Sequence, residues 1–213
     1  MILSAHPKIS VAPTEVLKLL GALQSVRLNQ IAHEVIQQAS ALLSPVYHIA
    51  QPVNDSTSLD SLNASGMEAK QYYVGAASIG AKLEQDISRL LAEGFLSQGM
   101  VLDAVGTIAT RKVVTEAVRA IEDRTTKAGL FPGRTIMPGM EGVSLEAHKA
   151  ILRALGTQKD ITLTEKLLLK PLKSATFCVP LFRNRNNLQG SDLCQNCSHY
   201  NPQCNGCEVI LPR

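Results

Sequence analysis

Two pairs of cysteines constrain the fold of this chain more than any other sequence feature. Cys194 and Cys197 form one CxxC pair, and Cys204 and Cys207 form a second pair after six intervening residues. Four of the five cysteines therefore lie within fourteen consecutive residues. Paired CxxC spacing brings four thiolates to one centre, as in structural zinc sites and cubane iron–sulfur clusters. We predict that these four side chains hold a zinc ion or a 4Fe–4S cluster.

Two disulfides are the alternative interpretation of the same cysteines, but disulfides belong mainly to secreted proteins. Residues 1–7 show no basic start followed by a long apolar run, so they predict no signal peptide. No segment approaches the ~20 apolar residues that a membrane span needs. The net charge of +3 and the absence of Trp argue against a nucleic-acid partner. We therefore expect a cytoplasmic protein without a membrane or nucleic-acid partner, a setting that favours a metal centre.

The rest of the chain alternates helical apolar periodicity with short strand candidates. The pattern predicts helices at residues 16–43, 79–91, 101–127 and 144–155, and strands at 46–49, 71–77 and 174–179. Long helices among few, separated strands favour an α+β fold over a doubly wound parallel sheet. The predicted buried stripe of the longest helix comprises Ala104, Ile108, Val113 or Val114, Ala117 and Ile121.

Single residues add predictions about helix ends and burial. Gly99 is expected to break the chain before the longest helix, and Gly129 to end that helix. Ser78 and Ser144 are expected to open the helices that follow them. The Pro- and Gly-rich segment 131–139 is predicted to lack regular structure. His33 and His148 are predicted to be exposed or half-buried, and Cys178 to be a small buried residue.

Four strings, in this order and spacing, carry a resemblance to a known family. They are Ile79-Gly80 with Leu83-Glu84, the run 102–109 (Leu-Asp-Ala-Val-Gly-Thr-Ile-Ala), the loop from Arg134 to Pro138-Gly139, and the run 161–165 (Ile-Thr-Leu-Thr-Glu). Together they resemble the activation domain of cobalamin-dependent methionine synthase, in the short stand-alone form with a cysteine-rich tail. The resemblance covers residues 72–179, and the first seventy residues match only loosely. We divide the chain into an activation-like domain, residues 1–187, and a cysteine-rich metal or iron–sulfur tail, residues 188–213.

The resemblance implies a C-shaped α+β domain with long helices packed on a curved, mostly antiparallel sheet, followed by an irregular cysteine-rich tail. Domains of this family bind S-adenosylmethionine and close over a corrinoid cofactor held elsewhere. When the cobalt has slipped to the inactive cob(II) state, one electron and the S-adenosylmethionine methyl group restore methylcob(III)alamin. The implied role is therefore the reductive reactivation of a methyltransferase, in methionine biosynthesis or in an anaerobic corrinoid pathway.

The implied partner is a cobalamin-binding methyltransferase protein in trans, because the chain lacks the Asp-x-His-x-x-Gly string of cobalt-binding modules. An electron donor such as flavodoxin or ferredoxin would supply the electron. A 4Fe–4S cluster in the tail would serve electron transfer, whereas zinc would stabilise an irregular segment. The alternative function is a non-catalytic docking or assembly module with a zinc-stapled tail that has lost S-adenosylmethionine binding.

The resemblance also points to residues that would bind S-adenosylmethionine, although none that would act as a catalytic group. Arg134 suits the ligand carboxylate because its guanidinium presents a bidentate fork. Pro138 and Gly139 would let the backbone approach the ligand without an intervening side chain. Three carboxylates suit the ammonium, the sulfonium or the ribose hydroxyls: Asp103, Glu141 and Glu165.

Three of these residues also have a structural interpretation. Arg134 is otherwise a solvated loop cation, Asp103 a charge favoured by a helix dipole, and Glu165 a turn residue. The loop also departs from the family pattern of Arg, two residues and Pro-Gly-Tyr. Here three residues separate Arg134 from Pro138, and Met140 stands in place of the tyrosine.

Overall fold

The computed structural model describes residues 2–53, 71–140, 143–156 and 160–183. Within these ranges, no helix has the length and hydropathy that a membrane span requires. The elements in chain order are β1 (Ile2–Ala5), α1 (Pro13–Leu19), α2 (Val26–Ala39), β2 (Val46–Val53), β3 (Gln71–Ser78), α3 (Lys82–Ala92), α4 (Leu96–Lys127), β4 (Phe131–Pro132), α5 (Ala147–Ala154), β5 (Thr162–Leu163), β6 (Leu169–Lys170) and β7 (Ser174–Phe182).

Five strands form one antiparallel sheet in the order β1-β2-β3-β7-β4, and β5 and β6 form a separate hairpin. Helices α1 to α4 cover one face of the sheet, and α5 packs on β3 and β7 from the other side. The predicted α+β class is confirmed, as a C-shaped domain with a long helix on a curved antiparallel sheet. The predicted cysteine-rich tail lies outside the described residues.

The sheet separates two apolar cores. Successive side chains of a strand point to opposite faces, so odd- and even-numbered residues of β2, β3 and β7 face different layers. Ile49 and Phe177 belong to the larger core beneath the helical layer. Val74 and Cys178 belong to the smaller core beneath α5. We call the side of the sheet that carries this smaller core the inner face.

The 32-residue helix α4 is the central helix of the helical layer and contacts α1, α2 and α3. Its predicted buried stripe is confirmed, since all the residues named for it are buried, including both Val113 and Val114. Gly129 follows the end of the helix, as predicted. The prediction for Gly99 is wrong, because α4 begins earlier and Gly99 lies inside it. A Cβ atom at Gly99 would lie 2.8 Å from Leu91 Cδ2, so this glycine allows α3 and α4 to pack closely.

The prediction of one helix over residues 16–43 is wrong, because the structure contains two helices there. Gly21 adopts φ 64° after α1, a conformation that few other residues tolerate. Ser25 then begins α2, where its Oγ accepts a hydrogen bond of 3.3 Å from the Leu28 backbone N–H. The apolar periodicity continues across the turn, which is why the pattern alone does not reveal the break.

Two serines predicted to open helices act in turns instead. Ser78 ends β3, and its Oγ accepts a 3.1 Å hydrogen bond from the Gly80 N–H, two residues before α3 begins. Ser144 precedes α5 by three residues, and its Oγ accepts a 3.2 Å hydrogen bond from the Glu146 N–H. The segment 131–139, predicted to be irregular, contains the short strand β4 and an isolated bridge from Ile136 to Cys178.

Candidate functional site

The loop that carries Arg134, Pro138 and Gly139 runs along the outer edge of β7. The Gly133 N–H donates a hydrogen bond of 2.7 Å to the Pro180 carbonyl. Further along, Ile136 and Cys178 exchange two backbone hydrogen bonds of 2.8 and 2.9 Å. The loop is therefore attached to the sheet on both sides of Arg134.

The pairing register changes at Arg134. Pro132 pairs with Leu181, and Ile136 pairs with Cys178. Three residues (133–135) thus face two (179–180), which is the one-residue excess of a β-bulge. The Arg134 side chain is half-buried at this bulge. Bulges redirect side chains and are frequent next to binding sites. The pairing with β7 thus fixes the backbone at Arg134.

Pro138 and Gly139 form the turn by which the loop leaves the sheet edge. Pro138 is buried, whereas Gly139 is exposed and adopts φ 83°. The Gly139 N–H donates a hydrogen bond of 2.9 Å to the Val143 carbonyl, which closes the turn. Met140, which stands where the family has tyrosine, is 48% exposed. The predicted ligand Glu141 lies outside the described residues.

Asp103 lies two turns into α4 and forms an ion pair with Lys173. The distance from Asp103 Oδ1 to Lys173 Nζ is 2.8 Å, and Lys173 Nζ also donates a 2.9 Å hydrogen bond to Thr107 Oγ1. The lysine side chain is only 18% exposed and passes over Gly106, where a Cβ would lie 3.2 Å from Lys173 Cε. Since Lys173 precedes β7, this ion pair attaches the start of that strand to α4.

Asp103 and Arg134 consequently lie at opposite ends of β7. Asp103 is held beside Ser174, and Arg134 lies beside Pro180, which is six residues further along the strand. Six residues of β-strand span about 20 Å at ~3.4 Å per residue. The structure therefore brings Arg134, Pro138 and Gly139 together and leaves Asp103 apart from them.

Glu165 is exposed in the turn of the β5–β6 hairpin. The Thr164 N–H donates to the Leu168 carbonyl at 2.9 Å, and the Leu168 N–H donates to Thr164 Oγ1 at 3.0 Å. These bonds give Glu165 the place of a turn residue.

The four predicted metal ligands, Cys194, Cys197, Cys204 and Cys207, lie outside the described residues. Among the residues that are described, no group of three His, Cys, Asp or Glu side chains is arranged to hold a metal ion.

This architecture is similar to that of a known protein domain. No protein-family model matches the sequence, and no curated protein matches it. Among solved structures, the crystal structure of the MetH reactivation domain bound to AdoHcy matches with a TM-score of 0.61 and 13% sequence identity. The alignment covers 84% of this chain and 78% of that domain. The chain has the fold of the MetH reactivation domain. The resemblance seen in the four sequence strings is thus confirmed at the level of the fold.

On this reactivation-domain fold, the inner face carries a polar row that the sequence did not predict. Ser4, His48 and Thr176 are aligned across the sheet, with the apolar Ala76 of β3 between His48 and Thr176. Ser4 Oγ lies 2.7 Å from His48 Nδ1, and Thr176 Oγ1 lies 2.7 Å from His148 Nδ1 on α5. The prediction of an exposed or half-buried His148 is wrong, because His148 shares the apolar stripe of α5 and is only 7% exposed. His33 is exposed, as predicted.

Burial determines the protonation states of His48, in this row, and of His148, which contacts it from α5. It lowers the pKa of His48 and of His148 below their ordinary value. Asp160 opposes the lowering at His48, since its Oδ2 lies 3.3 Å from Nε2, although this contact lacks hydrogen-bond geometry. The effect of Asp160 is weakened by solvent because its carboxylate is 58% exposed. Both imidazoles are therefore neutral at pH 7. Burial also raises the pKa of Cys178 to about 12, which keeps this buried thiol protonated.

Proposed function

We propose that this chain binds S-adenosylmethionine and presents its methyl group to the cobalt of a corrinoid held by a partner protein. The observation that carries the proposal is the fold, which is shared with a reactivation domain whose crystal structure contains AdoHcy. AdoHcy is what remains of S-adenosylmethionine after its methyl group has been transferred. The role would be the reductive reactivation of a cobalamin-dependent methyltransferase.

The loop along β7 supplies the groups that suit the ligand. Arg134 would hold the ligand carboxylate, and the bulge fixes the backbone from which its guanidinium projects. Gly139 presents an exposed backbone, where a side chain would crowd Leu145 at 3.0 Å. Glu141 and Glu165 are the carboxylates that we assign to the ammonium and ribose groups. We assign Asp103 to the attachment of β7, because its carboxylate is already paired with Lys173.

The bound ligand would supply the methyl group, and the chain would contribute position. Holding donor and acceptor in register replaces a slow encounter in solution by an oriented one. The electron would come from a cluster on Cys194, Cys197, Cys204 and Cys207, or from a donor such as flavodoxin or ferredoxin. The chain alone should therefore transfer no methyl group. Methyl transfer in the absence of any corrinoid protein would contradict this proposal.

Calorimetric titration of S-adenosylmethionine into anaerobically purified chain tests the proposal. We expect saturable binding by the unaltered chain and about 10- to 100-fold weaker binding by Arg134→Ala, since a charge-assisted hydrogen bond contributes roughly 1.5–3 kcal/mol. Arg153→Ala is the matched control, because Arg153 is an exposed arginine at the end of α5. Unchanged affinity in Arg134→Ala would remove Arg134 from the site. No binding by the folded, unaltered chain would remove the function.

The loop also supports a second candidate, a docking or assembly module that has the fold but no ligand. Met140 replaces the family tyrosine and is half-exposed, so the loop lacks an aromatic ring at that position. In this case zinc bound by the four tail cysteines would stabilise the tail, and the tail would serve as the docking surface. The same titration separates the two candidates, because only the first requires S-adenosylmethionine binding.

A further inference from the structure

Exposed apolar side chains concentrate at two corners of the helical layer. One corner connects α1 to α2, and the other connects α3 to α4. Twelve large apolar side chains are exposed in the described part of the chain, and seven of them belong to these corners: Leu19, Leu23, Val26, Leu91, Phe95, Leu96 and Met100. We call these seven residues the corner patch. Apolar surface that clusters in this way marks an interaction site, whereas single exposed apolar residues do not.

A groove of about 400 Å³ separates the two corners. The end of α1, one side of α3 and the first turns of α4 form its walls, and Asp103 and Thr107 are its only polar lining residues. Gly99, which has no side chain, and Ala104, which has only a methyl group, line the groove and leave it open. Phe95 and Leu96 lie about one helical turn, ~6 Å, before Gly99 and Met100. Phe95 and Leu96 thus form an apolar ridge that lies beside the mainly apolar groove on the same surface.

The charges around the corner patch are nearly balanced within the chain. Arg89 binds Asp86 at 2.7 Å and Glu93 at 2.8 Å, and Lys173 binds Asp103 at 2.8 Å. Exposed Lys18, at the end of α1, offsets the additional carboxylate beside Arg89, and exposed Arg27, next to Val26, leaves one positive charge in excess. A partner with a strongly charged surface therefore finds no strong opposite charge here. Two identical copies of the patch, in contrast, meet with an excess of only one charge each, and solvent and salt screen their repulsion.

We propose that the corner patch is the interface between two copies of this chain related by a two-fold axis. A two-fold contact places the same surface of both subunits against itself, so it requires a surface that is its own complement. The ridge of one copy, with Phe95 and Leu96, fills the groove of the other, and the reverse contact forms at the same time. Aromatic and Met side chains, such as Phe95 and Met100, are enriched in protein interfaces.

This interface leaves the candidate ligand loop accessible. The corner patch lies near the first turns of α4, close to the start of β7, whereas Arg134 lies beside the other end of β7. Each copy in the dimer keeps its own Arg134–Gly139 loop open to ligand and partner. The proposal of a dimer does not depend on the proposed function.

Sedimentation velocity over a concentration series tests the interface with the full chain, under anaerobic and reducing conditions so that the tail cysteines do not cross-link. We expect a dimer for the unaltered chain, and for Leu96→Glu and Met100→Glu a dissociation constant at least ~100-fold higher, because each variant places a charge in the contact. Leu168→Glu is the matched control and should remain dimeric, since Leu168 is 53% exposed on the distant β5–β6 hairpin. Circular dichroism of each variant shows whether it is folded.

Three outcomes would overturn the interface. The first is an unaltered chain that is monomeric at about 100 µM, a concentration at which even a weak dimer forms. The second is a dimer that persists in both folded glutamate variants, which would place the contact on another surface. The third is a photoreactive amino acid at position 96 that cross-links only to residues 184–213 of its own chain. That result would make the tail the occupant of the groove.

Discussion

At the scale of single residues, Gly75 on β3 shows how one missing side chain permits a packing contact. Gly75 pairs directly with Phe177 on β7, and a Cβ atom at Gly75 would lie 2.2 Å from Phe177 Cζ. The phenyl ring therefore lies on the backbone of the neighbouring strand. Because rigid strands and a buried ring leave no room, Gly75→Ala should lower the free energy of unfolding by about 1–3 kcal/mol.

Denaturant titration measures this effect, and a second substitution gives the control. In Gly75→Ala/Phe177→Leu the ring that causes the clash is absent, so the two substitutions together should cost less than the sum of their separate costs. Strictly additive costs would show that the alanine methyl does not meet the ring. The sequence revealed a strand here but not the glycine–phenyl contact, which depends on the pairing register of two strands distant in sequence.

The buried imidazoles give stability a pH dependence. The folded pKa of His148 lies below the unfolded value of 6.5 because of burial, so the unfolded chain binds more protons below that pH. Stability should therefore be full above pH ~6.5 and should fall as the pH decreases towards ~5, before most carboxylates titrate. His48 contributes in the same direction, with Asp160 opposing the shift and His6 adding to it.

Urea titrations at several pH values between ~5 and ~7.5 measure this dependence. His148→Gln keeps a polar group near Thr176 but cannot take up the proton, so its stability should change less with pH than that of the unaltered chain. The exposed His33 is the control, since His33→Gln should leave the dependence as it is. An equal slope for His148→Gln and the unaltered chain would contradict the assignment to His148.

At the scale of elements, the ion pair between Asp103 and Lys173 joins α4 to the start of β7. Asp103→Asn should lower the free energy of unfolding by less than about 1 kcal/mol, because the Asp103 carboxylate is 55% exposed and screened by solvent. Affinity for S-adenosylmethionine should not change, since Asp103 lies far from Arg134. The titration used for Arg134→Ala measures this, and a loss of affinity in Asp103→Asn would return Asp103 to the ligand site.

Elements were predictable from the sequence where a local pattern determines them. The buried stripe of α4 follows from apolar residues at helical spacing, and β2, β3 and β7 follow from short apolar runs. The turn at Gly21 was missed because the apolar periodicity continues across it, and the start of α4 was missed because Gly99 lies inside the helix, where it packs against Leu91. The loop containing Arg134 was found from its resemblance to a family, whereas its bulge becomes visible only from the pairing with β7.

At the scale of the whole molecule, the metal content of the cysteine tail distinguishes the two candidate functions. If Cys194, Cys197, Cys204 and Cys207 hold a 4Fe–4S cluster, anaerobically purified chain should be brown and absorb near ~400 nm. Cys194→Ser should lose the absorbance together with the iron, whereas Cys178→Ser should keep both, because Cys178 is buried beneath α5. A colourless protein with one bound zinc per chain would exclude the redox role and favour the stapled docking module.

The bulge beside Arg134 has a consequence for how domains of this kind diversify. An extra residue in a bulge is accommodated locally, so the pairing on either side keeps its register. A lineage can therefore lengthen or shorten the segment before Pro138 by one residue without refolding the sheet. Loop length is thus a poor guide to whether a relative has retained its ligand. The arginine at the bulge and the Pro-Gly turn, which a hydrogen bond from Gly139 to Val143 closes, are the features by which such relatives should be grouped.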